Sequence, residues 1–147
     1  MHHYRRSHLL TGPVLAASLV LAAVGCSRDT APPPFRQPPV DSFAAGPCTT
    51  MAPAILSIGR DAQQLSTTPP QAVLDRLTTA QATLRTQQAD LQPLLQTPVA
   101  DLVATVGVVR LRARIGSYAP ALAQEVRVAY QRLIDVCVPT ADPGNGY

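Results

Sequence analysis

Apolar residues follow three regimes along this chain. From Val14 to Val24 they form one block, VLAASLVLAAV, interrupted only by Ser18. From Ser27 to Pro47 they thin out among six prolines. From Thr49 onward they recur at close to every 3.6 positions, with no sustained period-two alternation, so the pattern predicts helices and no strands.

Four helices fit this last region. The first is expected over about Met51–Leu65, capped by Thr50 and carrying Pro53 in its first turn, with Ile55, Ile58, Ala62 and Leu65 as its buried stripe. Gly59 on the same side weakens the helix but lets a neighbour approach closely. The break STTPP leads to a second helix from about Pro70, in which Leu77, Leu84 and Leu91 repeat every seven residues and Leu74, Ala80 and Leu95 widen the face. Gln87 and Gln88 dilute that repeat, and Pro93 is expected to kink or stop the helix. Thr97-Pro98 reads as a cap and first helical position for a third helix with Leu102, Val106, Val109 and Ala113 inward, ending at Gly116. Its valine content also suits a strand. Ser117 and Pro120 open a fourth helix, with Leu122, Val126, Ala129, Leu133 and Val136 inward, before Pro139 and DPGNGY. Tyr118 and Tyr130 are expected half-buried, hydroxyls outward.

Connections of two to five residues favour antiparallel neighbours, so the expected fold is all-α, an up-down-up-down four-helix bundle. Three helices with a kinked last one is the alternative. In the four-helix topology the start of the first helix and the end of the fourth share one end of the bundle, which brings Cys48 and Cys137 together. A bridge there would constrain the unfolded chain by about 4–5 kcal/mol in the loop-entropy model.

The N-terminal block has a different character. MHHYRRSHLL supplies positive charge, and the eleven-residue apolar block after it falls well short of the roughly 20 a bilayer span requires. Charge, apolar run and small residues follow one another in signal-peptide order. The block ends Ala23-Val24-Gly25-Cys26, which resembles the lipobox of bacterial lipoprotein precursors. That resemblance implies cleavage before Cys26 and acylation of its thiol, which becomes the mature N-terminus. Ala23 departs from the family's usual Leu, and the likeness covers only the first 26 residues. Cysteine number points the same way: of Cys26, Cys48 and Cys137, acylating the first leaves an even pair for an oxidising compartment. Secretion without acylation, with cleavage after Ala23 or at FAAG, is the alternative. Arg5-Arg6 admits a twin-arginine signal as well as ordinary export, with His8 standing where that motif wants an apolar residue. The expected organisation is a signal peptide over 1–25, a lipidated cysteine and proline-rich tether over 26–47, a helical bundle over 48–139 and a disordered tail over 140–147. As extended polyproline the tether would reach at most about 60 Å.

Composition narrows the chemistry. Of twelve basic residues, all Arg, Arg5 and Arg6 fall in the leader; ten face nine acids from Cys26 onward, and aromatics make up 4% of the chain. A nucleic-acid partner is therefore not expected. His2, His3 and His8 all precede Cys26, so the mature chain has neither His nor Lys. It lacks the usual base of serine and cysteine hydrolases and the imidazole ligands of zinc or haem sites. No cofactor and no metal are expected. Carboxylates remain at Asp61, Asp75, Asp90, Asp101, Glu125, Asp135 and Asp142, but no ExxH pair accompanies them, so no enzyme is expected. Asp75 and Asp101 read as helix N-terminal charges, and Asp135 as balanced by Arg132.

Arg110, Arg112 and Arg114 crowd the end of the third helix and form a candidate patch for an anionic partner, set against the plainer role of complementing the helix dipole. The expected function is a lipid-anchored protein of the cell membrane, on its extracytoplasmic face. It would serve as a non-enzymatic interaction or scaffold module for an envelope protein partner. The alternative is a carrier of an apolar ligand, with room left between helices by Gly59, Ala80 and Gly107.

Overall fold

A computed structural model describes Phe35 and residues 37–139. The expected signal peptide, Cys26, the first part of the tether and the tail over 140–147 lie outside the described residues. Among the latter there are four long helices and no strand: α1 (Pro47–Gln64), α2 (Gln71–Gln88), α3 (Pro93–Arg114) and α4 (Ala121–Cys137). Each helix packs on its chain neighbours, and α1 also packs on α4, closing a bundle around one core. A disulfide joins Cys48 to Cys137, with Cα atoms 5.3 Å apart.

The heptad leucines of α2 do what their spacing implies. Leu77 and Leu84 are fully buried, and Leu91 closes the core just beyond the helix. Ile55, Ile58 and Ala62 of α1, Leu102, Val106 and Val109 of α3, and Val126, Ala129 and Leu133 of α4 line the same interior. The valines of α3 fold as helix because their 3.6-residue stripe has a core to enter, which outweighs a modest β preference.

Two boundaries differ from those read in the sequence. Helix α1 starts at Pro47, a turn earlier than expected, so Cys48 lies inside it, and Thr49 and Thr50 turn their hydroxyls back to the Ala44 and Gly46 carbonyls at 2.8 and 3.2 Å. Pro93 begins α3 instead of ending α2. Its ring presets the first helical φ, and it drives Gln92 into an extended conformation (ψ 152°), which separates the two helices. Pro98 then sits within α3 and deprives the Leu94 carbonyl of its helical donor. Leu94 is 72% exposed, so water can serve that carbonyl. Asp101 accordingly lies two turns inside α3, not at its start. It pairs with Arg132 across an exposed 3.9 Å gap, while Asp135 accepts from Gln131 at 2.8 Å.

The segment expected as free tether is partly folded onto the bundle. Val40–Ser42 forms a short 3-10 turn, Phe43 is buried in the core, and the Ala44 N–H donates to the Cys137 carbonyl at 2.8 Å. Gln37 donates through Nε2 to the Leu56 carbonyl at 2.8 Å. The Phe35 ring lies 4.9 Å from the Tyr130 ring, centroid to centroid. Phe35 and residues 37–46 thus make a strap over α1 and α4.

Tyr130 departs most from expectation. It is fully buried, and its hydroxyl has no hydrogen-bond partner among the described residues. Gly59 makes this possible: a Cβ there would stand 2.6 Å from the Tyr130 ring. Burial pushes the Tyr130 phenol up to about 12. Tyr118 keeps a half-buried body, but its hydroxyl too is enclosed, and burial raises its pKa, with Arg127 nearby pulling the other way.

Candidate functional site

The candidate arginines divide once the helices are packed. Arg110 and Arg114, one turn apart on α3, line a groove of about 660 Å³ between α2 and α3, and Arg112 is not among its lining residues. Arg85 of α2 joins them from the opposite bank. No residue pattern singles out Arg85, since its membership depends on how α2 and α3 dock.

A buried amide organises this groove. Gln81 of α2 is only 1% exposed. Its Nε2 donates to the Val103 carbonyl at 2.6 Å, and its Oε1 accepts from Arg110 Nη1. Both polar ends of the amide are thereby satisfied, as burial requires. Gly107 creates the opening. In a helix the Val103 carbonyl also receives the N–H of residue 107, and a Cβ at that residue would stand 2.9 Å from Gln81 Nε2. The absent side chain lets a second donor reach the carbonyl. Gln81 in turn holds Arg110 in place at the groove edge.

No carboxylate stands within ion-pair distance of Arg85, Arg110 or Arg114 among the described residues; the ion pairs there join Arg76 to Asp61 and Arg132 to Asp101. Asp75 lines the same groove and accepts from Gln71 at 2.8 Å. Beside the arginines, α3 exposes an apolar stripe: Val108, Leu111 at 57% and Ile115 at 60%. These lie at i, i+3 and i+7, on the helix face opposite the core positions Leu102, Val106 and Val109. The surplus of apolar residues gives α3 the length and hydropathy of a membrane span, although a third of its most apolar window is buried in the bundle.

The remaining polar residues serve structure. Asp61, 1% exposed, receives Arg76 Nε at 2.8 Å and joins the end of α1 to the start of α2. Arg127 donates to the Ala62 carbonyl at 3.3 Å and joins α4 to α1. Among the described residues no three or more His, Cys, Asp and Glu are grouped to hold a metal ion.

Of the small residues expected to leave room for an apolar ligand, the two glycines have neighbours in that space. Gly59 faces Tyr130, and Gly107 faces Gln81. Ala80 borders an open groove of about 400 Å³ between α1 and α2, walled by Pro53 and Ala54 as well as by Asp75, Arg76 and Thr79. No family model matches the chain, and neither the curated proteins nor the solved structures contain a match.

Proposed function

We propose that this chain is exported, acylated on Cys26 and displayed at the extracytoplasmic face of the cell membrane as a non-enzymatic interaction module. The observation that carries this reading is the Cys48–Cys137 bond. It consumes two of three cysteines and leaves Cys26 as the odd thiol, at the position where the lipobox-like sequence calls for acylation. Two or three acyl chains, each CH₂ contributing about 0.8 kcal/mol, suffice for stable anchoring.

An up-down-up-down course of the helices belongs to the same proposal. It is supported by contacts that link the start of α1 to the end of α4 through the disulfide, the end of α1 to the start of α2 through Asp61–Arg76, and the first half of α4 to the end of α1 through Arg127. In that course the disulfide end faces the membrane, and Arg110, Arg114 and Ile115 occupy the far end. An interaction role fits this surface better than ligand carriage, because Tyr130 and Gln81 fill the space beside Gly59 and Gly107.

The test is the intact mass of the mature protein extracted from membranes, together with fractionation of a Cys26→Ser variant. Wild type should carry acyl mass and lack two hydrogens, and the variant should leave the membrane fraction. A mature wild-type chain that is water-soluble and without acyl mass would falsify the anchor.

A further inference from the structure

We infer that the α2–α3 face docks an acidic amphipathic helix of a partner protein. The arginines Arg85, Arg110 and Arg114 would meet its carboxylates, and Val108, Leu111 and Ile115 would meet its apolar side chains. This rests on the interaction-module reading above and names the surface and the partner's chemistry.

Three features of the face set the occupant. The first is charge. Three guanidiniums are spread along one groove against a single carboxylate, Asp75, which pairs with none of them, so the groove carries a net positive charge complementary to an acidic surface. The second is pre-organisation. Arg110 is already held by Gln81, itself locked to the Val103 carbonyl, so less side-chain freedom is lost when an anion binds. The third is the apolar stripe beside the groove. From Val108 to Ile115 it runs seven residues, about 10 Å along the helix, which matches the two-turn spacing of anchors on a helix laid in a groove.

Other occupants fit less well. A small inorganic anion would leave the exposed leucine and isoleucine uncovered. A second copy of this chain using the same face in a two-fold contact would bring arginines against arginines. A lipid surface would have to reach Arg114 and Ile115, at the end of the bundle proposed to lie furthest from the anchor, as well as Arg85 toward the other end. A helix bearing Asp or Glu on one flank and Leu-like residues on the next answers both halves of the face.

Photocrosslinking in the native cells tests this with the full-length chain. Benzoylphenylalanine is placed at Leu111 or, as a second exposed site, at Val128 of α4. Leu111 should capture a protein, and the captured segment, read by mass spectrometry, should be helix-patterned with acids flanking apolar positions. Charge reversal at two exposed groove residues, Arg85→Glu with Arg114→Glu, should lower the yield at least tenfold. Arg60→Glu on exposed α1 should change it less than twofold. The double variant spares Arg110, so Gln81 keeps its partner, and an unchanged thermal midpoint shows that the fold is retained. Capture of lipid only, capture of a second copy, a captured segment without acids, or a yield indifferent to charge reversal each overturns the proposal. Capture at Val128 but not Leu111 removes this face and leaves the module reading standing; capture at neither removes both.

Discussion

Gly59 and Gly107 show how a missing Cβ can be a packing decision. Each sits inside a helix, where Gly costs about 1 kcal/mol relative to Ala. Each allows a side chain from another helix to occupy the space, Tyr130 in one case and Gln81 in the other. Gly59→Ala should therefore destabilise the fold by up to about 2 kcal/mol: an overpacking cost of about 1–3 kcal/mol is set against a helix-propensity gain of about 1 kcal/mol. Urea unfolding measures this through a lower midpoint at unchanged slope. The buried Tyr130 phenol gives a second residue-scale prediction. Its folded pKa, about 12, stands above the ordinary 10, so the native state holds this proton more tightly than the unfolded chain does. Its contribution is complete below pH 10 and is lost as pH rises from 10 to 12. Absorbance titration near 295 nm should show an ionisation near pH 12 that Tyr130→Phe removes, and that variant should flatten the alkaline decline in stability.

At the scale of the helix, periodicity was a sufficient guide to what is inside. Leu77, Leu84, Leu102, Val106, Val126 and Leu133 could be assigned to the core from spacing alone because each repeats on its own helix. The α2–α3 junction was misread because two prolines, Pro93 and Pro98, both carry start signals. The choice between them depends on whether the Leu94 carbonyl can find water, which only the packed helix reveals. Tyr130 and Arg85 were illegible for a related reason. Their environments are made by residues far along the chain: Gly59 and Phe35 for the first, Gln81, Arg110 and Arg114 for the second. The pairing of Cys48 with Cys137 was legible because the helix order alone brings them to one end. Across a sequence separation of 89 residues, this bond should contribute about 4–5 kcal/mol by limiting the unfolded chain. Cys48→Ser with Cys137→Ser should lose about that much in chemical denaturation, and wild type under reductant should follow it.

For the molecule as a whole, the described fold reaches back beyond Cys48 to Phe35. A chain starting at Phe35 keeps every described contact of the fold and should unfold at the same temperature as the full mature protein. A chain starting at Pro47 should unfold earlier. It gives up the buried Phe43 ring, of a kind whose truncation typically costs about 3–5 kcal/mol, and uncovers Tyr130. Differential scanning calorimetry of the two chains separates these outcomes; equal midpoints would show that the strap contributes nothing to the fold.

The strap also governs working radius. With Phe35 packed against Tyr130, nine positions, 26–34, separate the proposed acylation site at Cys26 from the strap. Nine residues span at most about 32 Å even when drawn straight. On the proposed anchoring, a receptor for the arginine face would be met within that span plus the length of the bundle, and confinement to this layer would raise the effective concentration of the two.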